Sequence, residues 1–172
     1  MRIETERLII RDVEDGDVEA LVPIFLTNPV YLELTEGNGT AYDAEKLRRE
    51  LAIARATPGR RFAGVYLVEA EEPVAVVDWL LENESDGKPW IGLLLVRADR
   101  QHDGIASEAF AAVARELRRA GGRVVRAGVI DGNRAGTRLT ARLGFRRVGS
   151  KTMQLGSGRR KVWILERPLE EG

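Results

Sequence analysis

The hydrophobic pattern changes period at one point of the chain, and this change constrains the fold more than any other feature. The apolar run over 90–96 has the length of one buried strand. After a polar loop that ends at Gly104, apolar residues recur every four positions, which predicts an amphipathic helix. These residues are Ile105, Ala109, Val113 and Leu117. A further apolar run, 123–130, follows the glycine pair that ends this helix, so we expect two parallel neighbouring strands joined by a right-handed crossover.

The other segments predict a mixed sheet with flanking helices. Strands are expected over 7–11, 62–68, 74–81, 145–155 and 160–167, and helices over 17–26, 43–57 and 132–143. Asp17 and Asp43 are expected to cap the first two helices, and Pro23 to kink the first or delay its start. The fold class is therefore α/β (α+β), a mostly antiparallel twisted sheet with one central parallel strand pair. The chain has 172 residues, a length that suits a single domain, 1–172.

Composition excludes several kinds of chemistry. The chain has no Cys and one His, which removes disulfides, thiolate catalysis, Cys-based zinc sites and any two-histidine metal site, so we expect no metal. The longest apolar run, 91–96, is far shorter than the roughly 20 residues that span a bilayer. The first residues lack the apolar core of a signal peptide. We therefore expect a cytoplasmic protein without a membrane partner.

A formal net charge of zero hides two oppositely charged halves. Residues 1–86 carry 9 Lys and Arg against 19 Asp and Glu, whereas residues 87–172 carry 18 against 8. Such asymmetry indicates an anionic partner for the basic half, whether nucleic acid, a membrane surface or a polyphosphate cofactor.

The loop 97–107 joins the predicted strand to the predicted helix and has the character of a phosphate site. Helix N-termini present unpaired N–H groups and a partial positive charge. Gly104 and the small Ala106 allow a ligand to approach the backbone closely. No Gly-Lys-Ser/Thr follows, and G-x-G-x-x-G is absent, so neither a P-loop nor a dinucleotide fingerprint is present.

Together with later residues, this loop resembles the acetyl-CoA signature of the GNAT superfamily of N-acetyltransferases. The resemblance lies in Gln101-x-x-Gly104-x-Ala106, followed by Asn133 and by 143–145 (Leu-Gly-Phe). The opening over 4–11 (Glu-Thr-Glu-Arg-Leu-Ile-Ile-Arg), with Asp-Gly-Asp after it, is similar to the branch that includes ribosomal-protein N-terminal acetyltransferases. The predicted order of strands and helices is similar to the family fold, so the resemblance covers nearly the whole chain.

The resemblance implies direct transfer of an acetyl group from acetyl-CoA, as co-substrate, to an amine of a small molecule or a protein N-terminus. It implies that N–H groups of 101–107 hold the pyrophosphate, that the backbone of 94–96 pairs with the pantetheine arm, and that arginines lie near the phosphates. The implied cofactor residues are Leu94, Leu95, Val96, Gln101, His102, Asp103, Gly104, Ile105, Ala106, Ser107, Asn133, Arg138 and Arg142. Asn133 is equally suited to cap a helix, and Arg142 to face solvent.

Three positions depart from the family pattern. His102 stands where the family usually has Gly, and Asp103 where a basic residue is common. Thr140 occupies the position of the Tyr that usually protonates the leaving thiolate, and an aliphatic hydroxyl is a far weaker acid than a phenol of pKa about 10. The thiolate can leave unprotonated, or Tyr31 or Tyr42 can replace the missing phenol, although packing roles suit both.

Asp78 is the candidate general base, because it interrupts an otherwise apolar strand. The alternative is an outward-facing strand residue, since neighbouring side chains alternate faces. Weaker candidates are Glu33, Glu36, Glu82 and Glu84. An imidazole can act as a base near neutral pH, but the loop position of His102 predicts surface exposure.

Two other functions remain open at this point. Thr140 and Asp103 favour a catalytically silent acyl-CoA-binding module, used as a sensor or a subunit. A nucleic-acid binder is disfavoured, because the arginines fall on separate helices and strands and only 6% of residues are aromatic. We therefore expect no nucleic acid, a cationic acceptor for the acidic half, and a homodimer only if the C-terminal strands pair between subunits.

Overall fold

The computed structural model describes residues 1–170, and its eight strands form one sheet of order β1-β2-β3-β4-β5-β6-β8-β7. The strands are β1 (Arg2–Glu4), β2 (Leu8–Asp12), β3 (Arg60–Leu67), β4 (Glu72–Leu80), β5 (Trp90–Val96), β6 (Val124–Ile130), β7 (Arg146–Leu155) and β8 (Gly158–Pro168). The helices are α1 (Val18–Leu26), α2 (Pro29–Glu36), α3 (Ala44–Ala56), α4 (Ile105–Arg119) and α5 (Arg134–Arg142). Residues 171 and 172, included in the predicted domain, lie outside the described residues.

The central strand pair confirms the prediction from the hydrophobic period. β5 and β6 run parallel and are joined through α4, whereas the other neighbouring strands of the sheet pair antiparallel. Gly104 lies at the N-cap of α4 in the left-handed region, with φ of 79°. The expected fold class, a mixed sheet with a central parallel pair and flanking helices, is therefore confirmed.

The two faces of the sheet carry separate hydrophobic clusters. α4 packs on one face, where Phe110 and Val113 are buried with Val77 and Trp79 of β4. α1, α2 and α3 pack on the other face, where Phe25, Leu32 and Leu47 are buried with Leu95 of β5. β5 therefore contributes to both clusters, with alternate side chains on opposite faces.

Two elements and one cap differ from the sequence prediction. The short edge strand β1 and the helix α2 were not predicted; Asn28-Pro29, an N-cap residue followed by proline at the first helical position, is the signal that marks α2. The expected capping of α1 by the Asp17 side chain is wrong, because that carboxylate accepts hydrogen bonds from Arg11 and from the Glu14 N–H instead. α1 continues through Pro23. Within residues 1–170, no helix is long and apolar enough to cross a membrane.

Candidate active site

The two parallel strands separate soon after they begin. β5 pairs with β6 only through Trp90 and Ile91, opposite Arg126 and Ala127. The remaining residues of β5 keep their pairing with β4 on the other side. A gap therefore opens between the carboxyl-terminal halves of β5 and β6, and one edge of β5 has no neighbouring strand there.

The backbone of β5 offers hydrogen-bonding groups to this gap. The Arg97 N–H donates to the Val74 carbonyl of β4 at 2.8 Å. Because N–H groups alternate between the two edges of a strand, those of Leu94 and Val96 point into the gap. The backbone of Leu95, which the resemblance groups with them, faces β4, where Leu95 pairs with Val76. An extended ligand with amide groups can pair with this edge as an additional strand does.

The carbonyl of Val96 is already bound by two side chains. It accepts hydrogen bonds from Nδ2 of Asn28 at 2.9 Å and from Nε2 of Gln101 at 3.0 Å. The Gln101 amide also donates to Oδ1 of Asn28 at 2.8 Å. These three bonds connect the end of α1, the end of β5 and the loop before α4, so the open edge and the loop are held in one fixed arrangement.

The start of α4 presents backbone donors next to this edge. The N–H groups of the first turn, from Ile105 onward, have no acceptor within the helix, and the N-cap Gly104 provides no side-chain cap. The Ile105 side chain is buried in the core, so only its backbone is available to a ligand. His102 and Asp103 are exposed, and the surface position predicted for His102 is confirmed. Residues 101–107 thus provide the N–H groups and dipole that favour a phosphate.

Arg7 holds the loop that precedes α4 in place. Its guanidinium donates to the Asp103 carbonyl at 2.9 Å and to Glu108 at 2.7 Å. A Cβ placed on Gly104 would lie 3.3 Å from Nη2 of Arg7, so glycine leaves room for this cation beside the helix start. Burial raises the pKa of Glu108, but hydrogen bonds from Thr5 and Arg7 outweigh this and lower the pKa overall. The helix start therefore has a cation fixed beside it, whose charge Glu108 balances.

Asp78 is the one buried charged side chain in the described core, with 5% of its surface exposed. The alternative of an outward-facing strand residue is therefore wrong. Nε of Arg60 donates to both carboxylate oxygens, at 3.0 and 3.1 Å, and Nη2 donates to Oδ2. Burial raises the pKa of Asp78, and Arg60 opposes this only in part. A carboxylate with a raised pKa is a better proton acceptor at neutral pH.

The position of Asp78 links it to the gap. Across β4 and β5, Asp78 pairs with Leu93 and Trp79 with Ile91, so Gly92 is an additional residue that forms a β-bulge. A Cβ on Gly92 would lie 3.5 Å from Oδ2 of Asp78. The bulge immediately follows the last residue of β5 that pairs with β6. The Asp78 carboxylate therefore lies beside the point where the two strands separate.

Two of the three candidate hydroxyls, those of Thr140 and Tyr42, already donate hydrogen bonds to other groups. Thr140 donates to the Gly136 and Thr137 carbonyls of its own helix, at 2.8 and 3.1 Å. Tyr42 stacks on Phe25 and donates to Glu50 at 2.7 Å. Burial, together with nearby carboxylates, raises the pKa of Tyr31 and of Tyr42, which makes both phenols weaker acids.

Of the cofactor residues expected on α5, one caps the helix and the other two are exposed. Asn133 caps the helix, since its Oδ1 accepts from the Gly136 N–H at 3.0 Å; this leaves its amide N–H groups for a ligand. Arg138 and Arg142 are exposed. Arg138 lines an open pocket of about 270 Å³ on the β7 side of the helix, together with Arg134 and Arg147.

The weaker acidic candidates lie on the surface or in ion pairs. Glu33, Glu82 and Glu84 are exposed. Glu36 pairs with Nζ of Lys46 at 3.1 Å. Among residues 1–170, no group of His, Asp and Glu is arranged to hold a metal ion.

A contact between α2 and the β7–β8 hairpin bridges the gap. At the hairpin tip, the Ser157 N–H donates to the Thr35 carbonyl at 3.0 Å, and the Ser157 hydroxyl donates to the Leu34 carbonyl. α2 packs on the β5 side of the gap, whereas the hairpin continues from β6 through β8. The gap is therefore bounded on the face that carries α2, which is the face of Asp78.

Sequence reasoning missed Asn28, Arg7 and Arg60. Each acts through a contact with a residue distant in sequence, so no local pattern identifies it. Arg60 alone had an indirect signal, because an ionised carboxylate in an apolar strand requires a cationic partner nearby.

Comparison with known proteins agrees with this arrangement. The sequence profile of the GNAT acetyltransferase domain matches residues 7–146. The chain therefore belongs to the GNAT acetyltransferase family, and it is an N-acetyltransferase that uses acetyl-CoA. No protein with a curated description matches the chain significantly.

Solved structures show the same fold. An acetyltransferase from Thermus thermophilus is 27% identical, with a TM-score of 0.77 over 98% of this chain and 99% of that chain. An acetyl transferase from Salmonella typhimurium, which modifies the N-terminal serine of ribosomal protein L7/L12, is 17% identical, with a TM-score of 0.80 over 96% and 97%. A ribosomal L7/L12 alpha-N-protein acetyltransferase in complex with coenzyme A is 17% identical, with a TM-score of 0.78 over 98% of each chain.

Proposed function

We propose that residues 1–172 form one acetyltransferase domain that binds acetyl-CoA in the gap between β5 and β6 and uses Asp78 as general base. The observation that carries this proposal is the end of β5–β6 pairing after Ile91. It leaves an unpaired strand edge, a helix N-terminus and a buried carboxylate next to one another.

The cofactor residues follow from the groups available around the gap. The N–H groups of Leu94 and Val96 bind the pantetheine amides, and the Asn133 side chain donates to the same arm. Backbone N–H groups of residues 101–107 bind the pyrophosphate. Arg138 and Arg142 contribute long-range attraction for the phosphates from the exposed face of α5.

Asp78 accepts the proton that the ammonium group loses before its nitrogen attacks the acetyl carbon. The nitrogen gives up a second proton to water as its bond to the acetyl carbon forms and the carbon–sulfur bond breaks. An amine with a pKa near 10 is mostly protonated at neutral pH, so proton removal is needed before attack. The thiolate leaves without a donor, since a thiol pKa of about 8.5 makes it an adequate leaving group. This agrees with the Thr140 hydroxyl bonding to its own helix.

The acceptor is an amine that approaches from the face that carries α1, α2 and α3. We propose a cationic acceptor, either a small amine or a protein N-terminus, because residues 1–86 carry an excess of acidic side chains. The ribosomal-protein acetyltransferases among the solved structures support the second kind of acceptor.

An acetyl-transfer screen against amines and N-terminal peptides of different charge tests this proposal. Thiol release is followed with acetyl-CoA, and binding of coenzyme A is followed in parallel by thermal shift. We expect release with cationic acceptors, and a decrease in rate as salt screens the attraction. Binding without release on any amine identifies a silent acyl-CoA module and contradicts the proposal. Equal turnover of cationic and neutral amines at low and high salt contradicts the acceptor class.

We also propose a cytoplasmic location.

Pairing of the exposed edge strand β7 between two copies is the one route to a homodimer that the C-terminal strands offer. Light scattering across protein concentrations tests it, and a constant monomer mass would exclude this dimer.

A further inference from the structure

Contrary to the expectation from the sequence, we infer that a basic face formed by α5 and the β7–β8 hairpin binds the phosphate backbone of nucleic acid. The sequence argument counted arginines on separate helices and strands, and the fold brings those of α5 and the hairpin to one side of the sheet. Residues 132–165 contain nine Lys and Arg and no Asp or Glu. None of these nine side chains forms an ion pair with a carboxylate of the described residues, whereas Arg11 and Arg60 are paired with Asp17 and Asp78. A surface with unpaired charges of one sign attracts polyanions.

The fold brings six of these cations to one side of the sheet. Trp163 of β8 packs against the cluster beneath α4, so Arg159 and Lys161, at alternate positions of the same strand, share its face. Arg147 pairs with Leu165 across β7 and β8, which places it on that face as well. Arg134, Arg138 and Arg142 follow one another at four-residue spacing along α5. We call these six residues the basic face.

Two contacts hold the cations of the hairpin in place. The Arg147 guanidinium lies 4.1 Å from the centre of the Trp163 ring, and Nζ of Lys161 lies 3.9 Å from it. Arg147 also lines the open pocket of about 270 Å³ with Arg134 and Arg138. One carboxylate, that of Asp131, lines the same pocket and accepts a hydrogen bond from Nε1 of Trp163 at 2.9 Å, so three cations face one anion there. The charges of the hairpin and of α5 therefore meet in a concave surface that suits a phosphate group.

The size of the basic face indicates a polymer. Arg147 pairs with Leu165 of β8, and Arg159 lies six residues from Leu165 on the same strand. The basic face therefore extends over about 20 Å of strand. One strand of nucleic acid presents about six phosphates over that length. The phosphates of a single cofactor cannot contact cations so widely spaced.

Nucleic acid fits this surface better than an acidic protein does. Five of the six cations are Arg, whose planar fork matches phosphate oxygens. Protein interfaces require a buried apolar centre. The exposed apolar side chains of the hairpin do not provide one on this face, because Val148 lies at the bulge of β7 and Met153 lies on the opposite face. Nucleic-acid interfaces are more polar and more positive.

Fluorescence anisotropy with a labelled single-stranded RNA of about 20 nucleotides tests the inference, with salt varied from about 50 to 200 mM. Six phosphate contacts predict a slope of log K against log salt of about −4. Combined Arg147→Ala, Arg159→Ala and Lys161→Ala substitutions should reduce this slope to about −2 and weaken binding at least 10-fold at 0.1 M salt. The KM for acetyl-CoA should not change, because these three residues lie outside the proposed cofactor site.

The matched control is the combined Arg2→Ala, Arg48→Ala and Arg49→Ala variant, which removes the same charge from ion-paired surface residues elsewhere. We expect less than a twofold change in affinity for RNA. The inference is overturned if the wild type does not bind RNA or if the control loses as much affinity. It is also overturned if poly-glutamate binds as tightly as RNA, which indicates an acidic protein partner.

Discussion

Arg60 and Asp78 form a buried ion pair across β3 and β4, in which Nε of Arg60 contacts both carboxylate oxygens. The pair lies on the face of the sheet that carries α1, α2 and α3, beside the bulge at Gly92. Burial and Arg60 act on the pKa of Asp78 in opposite directions, and burial is the larger effect. In the proposed mechanism, Arg60 is therefore a positioning residue that also sets the basicity of Asp78.

The Arg60→Met substitution should move the acidic limb of the pH profile of kcat/KM to higher pH. It removes the cation that lowers the pKa of Asp78 and leaves the effect of burial unopposed, so we expect a shift of about one pH unit or more. Arg60→Lys keeps the charge but loses the planar guanidinium that contacts both carboxylate oxygens, so it should shift the acidic limb less. An acidic limb that stays in place in Arg60→Met contradicts the assignment of Asp78 as base.

The Val96→Pro substitution should weaken coenzyme A binding at least 10-fold, because proline removes the N–H that faces the gap and places a ring carbon there. The sheet tolerates this change, since that N–H does not face β4. Val96→Ala is the control that keeps the N–H and loses the buried side chain, at a cost of about 1–3 kcal/mol in the free energy of unfolding. Calorimetric titration and urea unfolding separate the two effects, and equal affinities for both variants would show that the edge of β5 does not bind the cofactor.

The His102→Gly substitution should stabilise the protein by about 0.5–1 kcal/mol, because His102 adopts a left-handed φ of 67° that glycine adopts without strain. The same conformation explains why glycine is usual there in the family. Asp103→Gly is the control: Asp103 has no positive φ, so glycine only adds freedom to the unfolded chain and should destabilise the protein. Urea unfolding measures both, and a loss of stability in His102→Gly contradicts this explanation.

The Asp17→Asn substitution should destabilise the protein at pH 7, and the difference from the wild type should shrink as the pH falls below the unfolded pKa of about 3.9. Hydrogen bonds from Arg11, at 2.7 and 2.9 Å, lower the pKa of Asp17 below its unfolded value. Such a group stabilises the fold above its unfolded pKa, and this contribution disappears as the pH falls through the folded pKa. Loss of a charged hydrogen bond of this kind costs about 1.5–3 kcal/mol. Asp15→Asn, an exposed residue of the same turn, should change stability little, and equal effects of both variants across this pH range would contradict the prediction.

Much of the fold follows from local sequence. The change of period between 90–96 and the helix after Gly104 predicts the parallel pair, and the polar turns between 62 and 96 predict the antiparallel meander. α2 escaped prediction because it is short and its burial depends on one residue, Leu32. The capping of α1 by Asp17 failed because Arg11, on a separate strand, competes for the carboxylate.

Only the part of the candidate site that one continuous segment forms could be predicted from the sequence. The loop 101–107 is continuous, so its sequence indicates a phosphate site. By contrast, Asn28 binds the Val96 carbonyl from the junction of α1 and α2, and Arg60 binds Asp78 across β3 and β4, so only the tertiary fold creates these contacts. The basic face combines both kinds of information: its segment is rich in Lys and Arg in the sequence, and the fold decides which of them share one side of the sheet.

The pH dependence of acetyl transfer by Asp78→Asn tests the central proposal most directly. With saturating acetyl-CoA and a cationic amine, we expect kcat/KM near pH 7 to fall about 10²–10⁴-fold, with unchanged affinity for coenzyme A. The defect should diminish as the pH approaches about 10, where the amine loses its proton without a base. The exposed Glu84→Gln is the matched control and should retain full activity. Turnover by Asp78→Asn equal to the wild type at pH 7, or a loss that is the same at every pH, would contradict a role for Asp78 as the base.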